Sequence, residues 1–411
     1  MKKELFEYIV LHMKEANPSG RKSNFNYQMC LLSLIGICFV LLGHLRNDLV
    51  SPGTFDGWFP YYSFHMPLFL FISGYFFRTP SEKGFFLPFG RFLWKKFRSL
   101  MIPYYLINGA FILFGMWMGT FGFTYYSYTI PEFLAMPWIY CQPIVLSIPT
   151  WFLAGLFISE VMYYVLRKTI GALIRKSLAA DLVLLVLIGI LCIASCYLRS
   201  SYPLSEPAIV YLRSVVMLFF LHLGSLYRNY LEQRDTLSNL PYFVIVFGVQ
   251  LLLILFTRNS PLSPGLFNLY GFGRTGFLYY TAGIAGIALW LRIARLLALI
   301  PSRSRLVLFT GNHTKYIMAF HLFGYFLLNL LFFALRSRHL LLSLTRGFDR
   351  KEFLASPIYY NLTGSNPRLI LLYFFAGMGI SLLISLLISL LTGRLTRFVA
   401  GCLARRTSRP H

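Results

Sequence analysis

Ten long apolar runs divide this chain and leave little between them that could fold alone. A helix rises about 1.5 Å per residue, so about 20 apolar residues cross the hydrocarbon core of a bilayer. No water reaches backbone N–H and C=O groups there, so runs of this kind must be helices. They fall at about 28–45, 58–77, 99–119, 149–166, 180–198, 208–227, 241–256, 276–296, 316–335 and 369–391. The chain is 57% hydrophobic and 13% charged, beyond the roughly 45–50% apolar of a soluble domain. The expected fold class is all-α, a polytopic transmembrane helix bundle of about ten helices. A soluble enzyme on a single anchor is excluded, because no polar segment can bury a core of its own. No internal repeat supports an inverted-repeat transporter.

The formal charge of +24 does not point to nucleic acid. Its basic residues sit at the ends of apolar runs, where they set topology and meet anionic lipid head groups. Lys2, Lys3, Lys14, Arg21 and Lys22 precede the first run, and Arg78, Lys83, Arg91, Lys95, Lys96 and Arg98 follow the second. Arg167, Lys168, Arg175 and Lys176 follow the fourth, whereas 120–148 holds no Lys or Arg. This bias predicts both termini in the cytoplasm. One connection, 336–368, breaks the pattern: it should be external yet carries six basic residues, so either the helix count fails there, or a late loop tolerates charge once the topology is set, or the loop has a role such as holding an anionic glycan.

Three segments follow. Residues 1–27 form a cytoplasmic N-terminal segment without a signal-peptide pattern, whose stripe of Leu5, Tyr8, Ile9 and Met13 predicts an interfacial helix. Residues 28–391 form the membrane domain, and 392–411 a basic cytoplasmic tail. The six cysteines make no CxxC pair. Cys192 and Cys196 share a helix face but lack a second ligand pair, so packing is expected and no metal site.

Ionisable groups inside the apolar runs are the candidates for function, because they are costly at membrane depth. His44 ends the first run. A neutral imidazole there can take a proton from a hydroxyl near pH 7, although alone it equally fits an interfacial histidine. His65 lies in Phe64-His65-Met66-Pro67, where Pro67 frees a backbone carbonyl one turn earlier. Lys95 and Arg98 share one helix face and suit phosphate groups. Trp151 opens the fourth run, and Glu160 within it requires a partner, either a histidine or Arg213. His321 lies in the ninth run.

Together these marks resemble the acyltransferase-3 family of integral membrane acyltransferases, especially its fucose 4-O-acetylase-like group. The resemblance rests on Leu42-Gly43-His44, on the block from Phe64-His65-Met66-Pro67 to Ser73-Gly74-Tyr75, and on Lys95-x-x-Arg98 before Pro103-Tyr104. Trp151-Phe152-Leu153 through Glu160, and Gly311-Asn312 through His321, follow in the same order. One departure is clear: the family usually has Arg or Lys at the position of Ser33, and an acidic residue at that of Cys30.

The resemblance implies transfer of an acyl group, commonly acetyl from acetyl-CoA, to a hydroxyl of a cell-surface or exported glycan. His44 is then the expected general base, with Glu160 orienting a histidine. Lys95 and Arg98 would bind the phosphates of coenzyme A, while Trp151 and His65 are candidate oxyanion donors. Arg213 and His321 complete the substrate-binding set. The expected partners are acyl-CoA, a glycan or lipid-linked sugar acceptor, and membrane lipids. No permanently bound cofactor is implied, and the expected location is a bacterial inner membrane. A glycan transporter or flippase, or a weakened family member in envelope assembly, is the alternative. The membrane-bound O-acyltransferase superfamily fits worse, because Asn312-His313 falls at a helix boundary.

Overall fold

The computed structural model describes residues 26–45, 55–78, 86–125, 127–140, 145–258, 262, 264–272, 276–300, 304–340, 343–357 and 360–407. Residues 55–56, 145–146 and 393–407 are described by their backbone alone. The expected interfacial helix near the N-terminus, with Arg21 and Lys22, lies outside the described residues, as do the side chains of Cys141 and Cys402. Cys30, Cys192 and Cys196 are free and buried.

All ten expected helices form, and shorter ones join them. They are α1 (Tyr27–Gly43), α2 (Tyr61–Phe76), α3 (Phe86–Gly119), α4 (Ile130–Ile139), α5 (Trp151–Leu173), α6 (Ser177–Ser201) and α7 (Glu206–Leu226). They continue with α8 (Asn239–Phe256), α9 (Gly276–Ala298), α10 (Arg305–Asn312), α11 (Thr314–Ser337), α12 (Arg350–Ala355) and α13 (Ile370–Thr407). Among the described residues, the sole β-type pairing is one bridge between Gly265 and Tyr270. The protein is an integral, multi-pass membrane helix bundle, in which, among the described residues, eight helices are long and apolar enough to cross a bilayer.

Local signals explain the boundaries. Asn26 caps α1 by accepting from the Met29 N–H. Pro60 separates a single turn at Phe55–Trp58 from α2. The basic stretch before the third run is continuous with α3 through a π-helical turn at Phe97–Met101, and a second π turn, Tyr227–Leu231, extends α7. The last helix runs past its expected end at 391, so the basic tail begins as more helix.

The two shortest long helices, α1 with 17 residues and α2 with 16, sit inside the bundle rather than at its rim. Protein covers their ends, which removes the need for full bilayer length. Close approach makes this possible where α2 crosses α7. A Cβ at Gly74 would overlap the Leu221 carbonyl, and one at Gly224 would overlap the Phe71 carbonyl. Small residues at a membrane crossing let backbones meet in this way.

Hydrogen bonds between helix ends define two poles. At one, Asn26 donates to the Tyr75 hydroxyl (2.8 Å), Tyr75 donates to Glu232 (2.8 Å) and Arg228 donates to the Tyr75 carbonyl (3.0 Å). Arg167 pairs with Asp181 (3.0 Å) there, and Arg292 and Arg295 pair with Asp235 (2.5 and 3.0 Å). This is the basic pole. At the other, Tyr62 donates to the Gly43 carbonyl (3.1 Å), which closes the α1–α2 hairpin beside His44.

The puzzling connection after α11 is an ordered cap on the histidine pole. Phe348, Phe353, Tyr360 and Leu362 form one buried cluster with Leu45, Phe123, Phe326 and Phe332. Asn329 donates to the Tyr360 carbonyl (2.7 Å), and Thr124 N–H to the Leu354 carbonyl (3.0 Å). The helix count therefore stands. The cap folds its apolar residues inward and leaves Arg336, Arg338, Arg346, Arg350, Lys351 and Arg368 exposed.

Candidate active site

The end of α1 is where the site begins. A helix leaves its last carbonyls without intrahelical partners. Here three side chains from three elements take them. Tyr325 of α11 donates to the Leu41 carbonyl (2.9 Å), Tyr62 of α2 to that of Gly43, and Thr363 of the cap to that of Leu45. His44 sits among these bonds, half-buried, with its position set by the whole bundle.

Two further histidines face it. His65, one turn into α2, has Nδ1 2.5 Å from the Tyr61 carbonyl. In α11, His321 has Nδ1 2.9 Å from the Met318 carbonyl and 3.1 Å from that of Ile317. A carbonyl only accepts, so each neutral ring carries its proton on Nδ1 and leaves Nε2 as a lone pair. The ring of His321 lies 5.0 Å from that of His44, and its Nε2 is buried with no partner among the described residues. The neutral His65 ring therefore accepts at Nε2, which removes it from the expected oxyanion donors.

His44, His65 and Trp151 line one cavity of about 280 Å³, near the lower bound for small-molecule sites. Tyr62, Met66 and Val40 complete the α1–α2 side, Met318 and Leu322 the α11 side, and Ile148 and Pro149 the entry to α5. The remaining wall is a tight hairpin, Gly265 to Tyr270, which contributes Phe267 and Asn268. Leu269 has φ of 55° and Gly271 of 78°, as its sharp turn requires.

Arg213, expected to bind substrate, instead holds this wall. Its guanidinium stands 5.0 Å from the Trp151 ring centre and 5.8 Å from that of Phe267. It donates to the Phe267 carbonyl (3.0 Å), while Arg199 donates to that of Asn268 (3.2 Å). His321 likewise meets His44 rather than lining the cavity.

Glu160, expected to orient a histidine, does not reach one. It lies nine residues beyond Trp151 on α5, about 14 Å along the axis. Its carboxylate accepts from Lys96 (2.6 Å) and Ser73 (2.8 Å) instead. Lys96 was legible only as one of a basic run, and its neighbours Lys95 and Arg98 are exposed near the basic pole. Ser33 is buried, and its hydroxyl donates to the Met29 carbonyl of its own helix (2.9 Å).

The comparison with family models decides the family. The acyltransferase-3 model, described as an acyltransferase domain, matches residues 29–390. The chain belongs to the acyltransferase-3 family. It is thus a membrane acyltransferase, and the match runs through Ser33, His44, the cavity wall and the cap. The match is to the family as a whole, so the narrower likeness to the fucose 4-O-acetylase-like group rests on the sequence motifs alone. Comparisons with curated proteins and with solved structures find no significant match.

Proposed function

We propose that this acyltransferase moves acetyl from acetyl-CoA to a hydroxyl of a cell-surface or exported glycan, with His44 as general base. The observation that carries this reading is the meeting of His44, His65 and Trp151 in one cavity, at the pole opposite the Lys95 and Arg98 cations. The two poles suit two substrates. Coenzyme A would bind its phosphates at the basic pole, facing the cytoplasm, and extend its pantetheine arm toward the histidines. The glycan, free or lipid-linked, would enter beside the cap and the 265–270 hairpin. Both termini would be cytoplasmic, in a bacterial inner membrane.

The chemistry is direct transfer. The sugar O–H bond breaks as its proton passes to His44, and the oxygen attacks the thioester carbonyl carbon. The C–S bond then breaks, and the departing thiolate takes the proton back from His44. Trp151 lines the cavity, and its indole N–H is the proposed donor to the oxyanion. His65 offers Nε2 as an acceptor to a neighbouring sugar hydroxyl, which orients the acceptor.

Purified protein in detergent, given acetyl-labelled acetyl-CoA and an envelope glycan extract, tests the reading. Label should move to glycan or be released with free coenzyme A in wild type, and not in His44→Ala. Folded wild-type protein that neither binds coenzyme A nor turns over any acyl-CoA would favour the transporter reading instead.

A further inference from the structure

Glu160 is engaged by Lys96 and Ser73, so among the described residues it does not supply the general base proposed above with the carboxylate that would ordinarily orient it. A catalytic imidazole needs one nitrogen held so that the other presents its lone pair to the substrate. We infer that His321 holds His44, accepting an N–H of the His44 ring at its own Nε2 and leaving the other His44 nitrogen to face the cavity. This rests on the reading of His44 as the base, and makes His321 a positioning residue.

Three observations support the inference. First, the tautomer of His321 is fixed by two main-chain carbonyls of its own helix, so Nε2 is an acceptor. Second, this Nε2 is fully enclosed and unpartnered among the described residues, and a buried acceptor without a donor is costly. Third, the ring centres of His321 and His44 are 5.0 Å apart with planes tilted by 40°. Two imidazoles joined edge to edge by one N–H···N bond have centres about that far apart, since the bond length near 3 Å adds to the two ring radii. The bond is open in this structure, and a turn of His44 about its side chain would bring one of its N–H groups to the His321 Nε2. The carbonyl bonds from Tyr325, Tyr62 and Thr363 keep the His44 backbone still while it does so.

The arrangement has a chemical consequence. When His44 gains the hydroxyl proton, its ring becomes a double donor. One N–H then points to the leaving thiolate and the other to His321 Nε2. His321 keeps its own proton on Nδ1, which faces the Met318 and Ile317 carbonyls, and accepts at Nε2. The pair thus provides orientation without Glu160, which Lys96 holds elsewhere.

Two variants and one spectroscopic measurement test this. Gln at 321 can place its carbonyl oxygen near the site of Nε2, whereas Phe keeps the ring volume and removes the acceptor. His321→Phe should lower kcat on the order of 100-fold, with KM for acetyl-CoA unchanged, and His321→Gln should recover activity to within about tenfold of wild type. In protein labelled with ¹⁵N-histidine, wild type should show the His44 ring in one tautomer with one hydrogen-bonded N–H. His321→Gln should preserve that signal, and His321→Phe should give averaged His44 nitrogens. The inference is overturned if folded His321→Phe keeps kcat within threefold, or if the two variants lose activity equally while folded. It is also overturned if the wild-type His44 ring is already averaged. That last measurement needs neither turnover nor a variant that folds. It therefore separates failure of the pairing from failure of the acyl-transfer reading.

Discussion

The buried carboxylate of Glu160 is neutralised by Lys96, whose ammonium lies 2.6 Å away. Glu160 is 1% exposed and Lys96 24%, so the pair joins α3 to α5 at an interface that is dry on one side only. Removing one partner of such a pair leaves a charge without compensation, which costs more than the intact pair contributes. Lys96→Met should therefore destabilise the protein by roughly 3 kcal/mol. Glu160→Gln should cost less, because an amide can still accept from Ser73. The double variant should be more stable than Lys96→Met alone. Thermal unfolding of the three in detergent checks this, and strictly additive losses would count against a coupled pair.

The crossing of α2 and α7 gives a second test. Gly74 and Gly224 face each other's helix so closely that any added methyl meets a backbone carbonyl, which cannot swing aside. Gly74→Ala and Gly224→Ala should each destabilise by about 1–3 kcal/mol, the range for overpacking. Gly189 lies in α6, and a methyl added there would meet nothing within 4 Å. Gly189→Ala should leave the melting temperature unchanged or raise it. Equal effects at all three positions would show that helix propensity, and not close approach, governs these sites.

Much of the architecture was legible because lipid imposes so narrow a choice. Apolar runs of bilayer length must be helices, and that alone placed all ten. Three of the site residues were legible for a related reason. His44, His65 and Trp151 stand out as polar or amphipathic groups in apolar runs, and the structure brings them to one cavity. Partnerships were another matter. Glu160 was expected beside a histidine or Arg213, and it meets Lys96, because helical phase and depth in α3 and α5 decide which charges can touch. No periodicity distinguished Lys96 from its basic neighbours. The cap was opaque for a similar reason. Its inward Phe348 and Phe353 are too few to register as a run, and they matter only against Phe123 and Phe326 from distant helices. Positive charge in that segment put the helix count in question, whereas it is the exposed face of a folded loop.

The wall of the cavity supplies a third expectation. Arg213 stacks between Trp151 and Phe267 and bonds the Phe267 carbonyl, and a lysine can reproduce the charge but neither the planar stacking nor the forked donors. Arg213→Lys should keep the fold and loosen the hairpin that carries Asn268. Transfer to glycan should fall by about tenfold, since small misplacement of a substrate wall costs rate steeply. Release of coenzyme A to water in the absence of glycan should fall less. Assays of both outputs on one preparation check the split, and an equal loss in both would place Arg213 in the donor half of the site instead.

A hydroxyl of the cap bonds to the turn that holds His44. Thr363 donates to the carbonyl of Leu45, the residue after His44, across 318 positions of sequence. Both groups are buried, so the carbonyl has no water to fall back on. Thr363→Val keeps the shape and removes the donor. It should cost about 1–3 kcal/mol, as expected for an unsatisfied buried acceptor. The strain falls on the turn that holds His44, so turnover should drop by about tenfold even at temperatures where the variant remains folded. Thr363→Ser retains the hydroxyl and should stay close to wild type in both stability and rate. Measured side by side, a rate loss in Thr363→Val that Thr363→Ser restores would establish that the cap positions the base. A Val variant that loses stability but keeps full turnover would confine the cap to a structural role.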